Sequence, residues 1–300
     1  MIVIHPDSTR IGWIGTGVMG RSMCSHLLKA GYKVSVFNRS REKLNDLLNL
    51  GAAGCLSPME VARQSDVVFS MVGYPSDVEE VLLGENGALS GLASGSVLVD
   101  MTTSRPGLAK KIASEALAKQ VLALDAPVSG GDIGAREARL SIMVGGDVEA
   151  FEALTPLWKM MGTTYVFHGA PGSGQHAKMV NQILIASSMI GLCEAMLYSK
   201  QAGLNPELVL KSVSSGAAGS WSLSNLTPRI LKDDFAPGFF VDHFVKDLGI
   251  ALEEADKLKL QLPGVVNARK AYEFLQSMGR GSSGTQSLIL ALAKQNGIAW

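Results

Sequence analysis

Three groups of residues in this sequence have the types and spacing to do chemistry together. The first surrounds Lys178, in Gly172-Ser-Gly-Gln-His-Ala-Lys178-Met-Val-Asn181-Gln182. Asn181 and Gln182 follow at three and four residues, the spacing that shares a helical face, so an amide there can orient an ammonium group or a substrate oxygen. Met179, Val180, Ile183, Leu184 and Ile185 make the surroundings apolar. A lysine partly withdrawn from water holds its proton less tightly and can act as a general acid, whereas a lone helical lysine is otherwise a solvated charge. The second group is Asp125-Ala-Pro-Val-Ser129-Gly130-Gly131. Small residues and bare amides suit a carboxylate, and Ser129 adds a hydroxyl donor; a purely structural turn is the alternative.

The third group is Gly15-Thr16-Gly17-Val18-Met19-Gly20, which follows an apolar strand and opens a helix. In that context each glycine has its own task. Gly15 allows the tight turn, Gly17 lets a pyrophosphate approach the backbone, and Gly20 lets the helix pack on the strand. The free N–H groups and partial positive charge of the helix start then face the phosphates. The next strand ends in Asn38-Arg39-Ser40. An NAD site usually has an acid here for the ribose 2′-hydroxyl. An arginine and a serine suit a 2′-phosphate instead, which predicts NADP(H), with NAD use as the alternative. Met71 and Val72, after the strand Val67–Ser70, and Thr103, in Asp100-Met-Thr-Thr-Ser104, are further cofactor-side candidates at the carboxyl end of a sheet. Ser104 is alternatively a helix N-cap before Pro106.

These residues need elements to hold them. Strands are predicted at Arg10–Ile14, Lys33–Phe37, Val67–Ser70, Ser96–Val99, Leu122–Asp125, Ser141–Val144 and Thr164–Phe167. Helical patterns fill the gaps at Gly20–Ala30, Arg41–Asn49, Pro58–Gln64, Asp77–Leu83, Leu108–Lys119 and Val148–Met161. Such alternation predicts an α/β fold, a doubly wound, mostly parallel sheet with helices on both faces. After Gly174 only helices are expected, at about 174–202, 206–216, 222–232, 242–260, 263–278 and 284–296. Gly203, Asn205-Pro206 and Pro263 supply stop and start signals. The break Gly169-Ala-Pro-Gly-Ser-Gly174 divides a dinucleotide-binding domain, 1–170, from an all-helical domain, 171–300, for substrate and self-association. The active site is expected in the cleft between them.

Composition narrows the partners. With 27 basic and 27 acidic side chains, the formal charge is zero, which gives no reason to expect nucleic acid or an anionic membrane. The most apolar run, Ile183–Cys193, is too short to span a bilayer, and the start of the chain lacks the basic region of a secretory signal. Cys24, Cys55 and Cys193 read as buried reduced thiols of a cytoplasmic protein. His5, His26, His168, His176 and His243 form no metal-ligand pair, so no metal site is expected. His243, Trp221 and Phe239-Phe240 either shape a pocket or belong to the packing.

Taken in order, Gly15–Gly20, Asp125–Gly131, Gly172–Asn181 and Lys246-Asp247-Leu-Gly-Ile-Ala251 resemble the β-hydroxyacid dehydrogenase family over nearly the whole chain. That family includes 3-hydroxyisobutyrate dehydrogenases, tartronate semialdehyde reductases and glyoxylate/succinic semialdehyde reductases. The resemblance implies that Lys178 is the catalytic lysine, that Ser129, Gly130 and Gly131 form the substrate turn, and that Thr103 and Lys246, accompanied by Asp247, contact the cofactor. Relatives often carry Asn at both positions matching 181 and 182; here the second is Gln182, which leaves open which amide partners the lysine. The expected activity is hydride transfer between NADP(H) and a small carboxylate-bearing aldehyde or 3-hydroxy acid. An NAD-preferring 3-hydroxyisobutyrate or serine dehydrogenase and a noncatalytic NADP-binding protein are the alternatives. A homodimer or homotetramer is expected, with the helices at 183–193 and 285–293 buried or facing a second subunit.

Overall fold

The computed structural model describes residues 3–300. The chain forms two compact units, Met1–Lys178 and Met179–Trp300. The division falls inside a long helix, a few residues past the glycine-rich break seen in the sequence.

In the first unit the order is β1 (Arg10–Ile14), α1 (Val18–Lys29), β2 (Lys33–Phe37), α2 (Asn45–Asn49), β3 (Ala53–Gly54), α3 (Pro58–Arg63), β4 (Val67–Ser70), α4 (Pro75–Leu83), β5 (Val97–Asp100), α5 (Pro106–Leu117), β6 (Leu122–Asp125), β7 (Val128–Ser129), α6 (Gly131–Arg136), β8 (Leu140–Gly146), α7 (Val148–Ala153), α8 (Thr155–Met161) and β9 (Gly162–Gly169). The sheet runs β3-β2-β1-β4-β5-β6-β8-β7, with β9 on β8. Pairing is parallel from β3 to β6 and antiparallel where β8 meets β6 and β7. Strand order reverses around β1, so the loops after β1 and β4 flank the crevice where such sheets bind ligands.

Burial on both faces explains the unbroken apolar strands. Ile11, Trp13, Val67, Phe69, Val97 and Val99 enter one core with Met23, Leu27 and Trp158. The alternate residues Ile14, Val68 and Leu98 enter the other with Val61, Leu82 and Ile112. Trp13 stacks on Phe69 at 5.3 Å, and Phe69 meets Trp158 edge-on at 6.1 Å.

Several elements differ from the sequence reading. Val148–Met161 is two helices, because Pro156 has no N–H to donate and its ring crowds the preceding turn. The segment Arg41–Asn49 begins as a 3-10 turn, Arg41–Leu44, before α2. The short β3, β7 and α6 were not expected; the last two lie in the substrate-turn motif. Ser104 is not the N-cap of α5, which is Arg105.

The helix α9 (Ser173–Gln201) runs through the division, followed by α10 (Pro206–Val213), α11 (Trp221–Ile230), α12 (Val241–Lys257), α13 (Pro263–Ser277) and α14 (Leu288–Gln295). Gly203 takes φ +71° just past α9, and Asn205 Oδ1 accepts the N–H groups of Glu207 and Leu208 at the start of α10. In this unit Ala186, Met189, Cys193 and Met196 pack with Phe244, Leu248, Tyr272, Leu288 and Ile289. Phe244 meets Tyr272 edge-on at 5.0 Å, and the Tyr272 hydroxyl donates to the Thr285 carbonyl at 2.9 Å. The 285–293 segment is therefore core. Taken whole, α9 is long and apolar enough to cross a membrane by length and composition, with a window of mean hydropathy 1.5. The shorter run considered from sequence understated this, because one uninterrupted helix joins it to apolar residues on both sides. All three cysteines are buried.

Candidate active site

The glycine turn has the geometry its sequence requires. Gly15 has φ +92°, and a Cβ there would lie 2.2 Å from the Met71 carbonyl oxygen, so only glycine lets the loops after β1 and β4 meet. A Cβ on Gly20 would lie 2.1 Å from the Gly15 carbonyl oxygen, which fixes α1 against β1. Gly17 is different: a Cβ there would meet nothing within 4 Å. Its bare side opens over the start of α1, where Gly17 is the N-cap and contributes no side-chain hydrogen bond. The turn therefore fits a pyrophosphate on the N–H groups of the first helical turn. A cleft of about 330 Å³ adjoins it, lined by Thr16, Gly17, Val18, Arg21, Glu42, Lys43 and Asp46.

The residues after β2 divide their work. Asn38 Oδ1 accepts the Thr16 N–H at 2.9 Å, and its Nδ2 donates to the Ser40 carbonyl at 2.9 Å. Thr16 is buried, with its hydroxyl donating to the Lys43 carbonyl. Asn38 and Thr16 thus brace the turn. Arg39 is the outward group: its side chain is 84% exposed and lies 3.4 Å from Asp77, a pair that solvent weakens.

A buried polar chain ties together the carboxyl ends of three strands. The Ser70 hydroxyl donates to Asp100 Oδ1 at 2.8 Å, and the Thr102 N–H donates to the same oxygen at 3.1 Å. The Thr102 hydroxyl accepts the Val72 N–H at 3.0 Å, joining the loops after β4 and β5. Burial pushes the Asp100 carboxyl up to about 6; the bonds from Thr102 and Ser70 oppose this, and nearby Asp125 adds to it. Gln175 closes the chain. Its Oε1 accepts the Ser104 N–H and its Nε2 donates to the Thr102 carbonyl, both at 2.8 Å. Thr103, the cofactor-side candidate, is half-buried between those two contacts.

Asp125 holds the start of α9. Its two carboxylate oxygens accept the Gly172 and Gln175 N–H groups, each at 2.8 Å. Burial raises its pKa, while the backbone donors of α9 oppose the rise. One turn further, Lys178 is 6% exposed and its ammonium donates to the Val128 carbonyl at 2.8 Å. Val128 immediately precedes Ser129, Gly130 and Gly131, the last two at φ +133° and +63°. The structure therefore brings the lysine to the small-residue turn within one unit.

In the second unit, Asn181 Nδ2 donates to Gln182 Oε1 at 2.7 Å, and Gln182 Nε2 donates to Asp247 Oδ2 at 2.6 Å. Lys246 Nζ lies 2.9 Å from Asp247 Oδ1. Asp247 is 1% exposed; Lys246 supplies the opposite charge and Gln182 a hydrogen bond. His243 meets Phe239 at a tilt and Phe240 edge-on, with ring centroids at 6.5 and 5.5 Å. Trp221 is exposed at the start of α11. Sequence reasoning gave no role to Asp125, Gln175 or Asp100. The available signal was a polar side chain at a strand end or first helical turn, amid glycines and alanines, where burial without a partner is costly.

A doubly wound nucleotide-binding unit, a helical unit and a buried lysine beside a small-residue turn define an NAD(P)-dependent hydroxyacid dehydrogenase. Comparison with known proteins agrees. Residues 10–169 match the model for the NAD binding domain of 6-phosphogluconate dehydrogenase, and residues 172–292 match that for the NAD-binding region of NADP-dependent 3-hydroxyisobutyrate dehydrogenase. The chain is 54% identical to the "Probable 3-hydroxyisobutyrate dehydrogenase-like 1, mitochondrial" of Arabidopsis thaliana, over 99% of this chain and 89% of that protein. It is 37% identical to the 2-hydroxy-3-oxopropionate reductase of Escherichia coli, over 94% and 97%. The solved structure of Psf3 in complex with NADP+ and 2-OPP superposes with a TM-score of 0.88 at 25% identity, covering 94% of this chain and 99% of that one. The chain belongs to the 3-hydroxyisobutyrate dehydrogenase-like family of β-hydroxyacid dehydrogenases.

Proposed function

We propose that the protein catalyses reversible hydride transfer between NADP(H) and a small carboxylate-bearing aldehyde or 3-hydroxy acid, with Lys178 as general acid and base. The observation that carries this reading is the buried Lys178 ammonium on the Val128 carbonyl, one residue before the turn Ser129–Gly131. In it, Ser129, Gly130 and Gly131 hold the substrate carboxylate and so orient the carbonyl. Bound nicotinamide supplies the hydride for reduction and takes it up in oxidation. Lys178 gives a proton to the oxygen that becomes the alcohol, and recovers it in the reverse direction. Its fixed charge also stabilises that oxygen as negative charge develops. Lys246, held by Asp247, is the proposed cofactor contact of the second unit, and Asn181 and Gln182 order the helix face that follows Lys178.

The preference for NADP rests on Arg39, exposed beside Ser40, and on the absence of an acid at the end of β2. An NADPH-oxidation screen over short semialdehydes and 2-oxo acids, repeated with NADH, tests the whole reading; inactivity across the panel overturns it. Arg39→Ala is expected to raise KM for NADPH by about tenfold or more and leave KM for NADH nearly unchanged, as loss of one charge-assisted hydrogen bond to a phosphate requires. Equal changes for both cofactors would remove Arg39 from that role. We also propose self-association through α9, whose Val180, Leu184 and Tyr198 are 58%, 65% and 75% exposed. A monomer in light scattering would overturn that proposal.

A further inference from the structure

We propose that Gln175 is a positioning residue for hydride transfer, a clamp that fixes the peptide groups on either side of Thr103 to the helix carrying Lys178. The inference rests on the reading of Lys178 and the Ser129–Gly131 turn given above. Gln175 is fully buried. Its amide takes the Ser104 N–H and gives to the Thr102 carbonyl, both at 2.8 Å. It thereby pairs with the loop as a neighbouring strand would, one donor and one acceptor from a single planar group. Its own backbone N–H donates to Asp125 Oδ2 at 2.8 Å. One residue thus joins the end of β5, the end of β6 and the first turn of α9, three positions before the lysine.

The chemistry of the side chain explains the choice of residue. Glutamate has the same size but loses the donor when ionised, placing a carboxylate oxygen against the Thr102 carbonyl. Methionine fills the space and satisfies neither peptide group. Asparagine is one methylene short. Full burial keeps water from replacing the missing bonds. Thr102 is braced separately through Asp100 and Val72, so loss of the clamp should unseat the Thr102 carbonyl and the Ser104 N–H while the strand end stays in place. Displacements of about 1 Å at such a position can slow a reaction severely.

The test compares wild type, Gln175→Met and Gln175→Glu. NADPH fluorescence titration counts the competent sites, and kcat is expressed per bound NADPH, which separates a misplaced cofactor from a smaller folded fraction. We expect the per-site kcat of both variants to fall about tenfold, with KM for the carboxylate substrate within about twofold of wild type, because the turn that holds the substrate is untouched. A per-site kcat within about threefold of wild type overturns the inference. If Gln175→Met does not fold, Gln175→Glu, which keeps the size and the Ser104 contact, decides. Lys178→Ala is measured in parallel. Full turnover there sinks the reading of the site itself; a dead Lys178→Ala beside a wild-type-like Gln175→Met sinks only the clamp.

Discussion

Lys178→Ala is expected to lower kcat by about 100-fold or more, the range seen when a positioned general acid is removed. The geometry makes this a sharp test. The ammonium is nearly inaccessible and anchored at 2.8 Å to the Val128 carbonyl, so bulk water cannot readily take over proton delivery there. NADPH affinity should change little, because the glycine turn and Arg39 lie elsewhere in the unit. Lys178→Arg separates proton transfer from charge. Arginine keeps the positive charge but does not give up its proton at accessible pH. A variant that binds substrate yet stays slow assigns the effect to proton transfer; recovery of most of kcat would assign it to electrostatics alone. Near wild-type turnover in Lys178→Ala would falsify the proposed mechanism.

The second large effect concerns stability. Asp100→Asn is expected to stabilise the protein by up to about 3 kcal/mol at pH 8, with the gain fading to nothing near pH 4. The sign follows from burial, which raises the Asp100 carboxyl from an ordinary 3.8 to about 6 in the folded protein. Below both values the folded and unfolded chains are equally protonated at this residue, and it makes no pH-dependent difference. Between them the unfolded chain has lost the proton that the folded chain keeps, so stability falls as pH rises. Above about 6 the full cost of a buried charge is present. The hydrogen bonds survive the substitution, because Ser70 and the Thr102 N–H both donate to Oδ1, which asparagine retains. Urea midpoints at pH 4, 6 and 8 measure the difference; a gap that does not change with pH would show that charge burial is not its source.

Much of the nucleotide unit could be read in advance because its signals are local. The strands Arg10–Ile14, Lys33–Phe37, Val67–Ser70 and Leu122–Asp125 have the bounds expected from β-branched runs between helical patterns. Gly15 and Gly20 had steric reasons that the backbone displays, and Gly17 leaves open space beside the helix start. What escaped depended on partners distant in the chain. The two-residue strand β7 exists because Val128 and Ser129 pair with Ile142 and Ser141, which no local pattern announces. The side chain of Asn38, a cofactor-side candidate, also ties Ser40 to Thr16, which lies 22 positions before Asn38. Gln175 contacts residues more than 70 positions earlier. The bond from Lys178 to the main chain of β7 spans 50 residues, and no pattern on its own helix announces it.

On the proposed preference for NADP(H), the two hydrogen bonds of Asn38 constrain how this lineage could change its redox currency. The simplest route to a diol-binding nucleotide pocket is an acid at the tip of β2, and residue 38 is the obvious place for it. A carboxylate there could still receive the Thr16 N–H, but it has no proton to offer the Ser40 carbonyl and would repel it. The same mutation that courts the new coenzyme would loosen the loop meant to seat it. Drift toward the other nicotinamide therefore has an easier path through positions 39 and 40, where the backbone would not have to be rebuilt first.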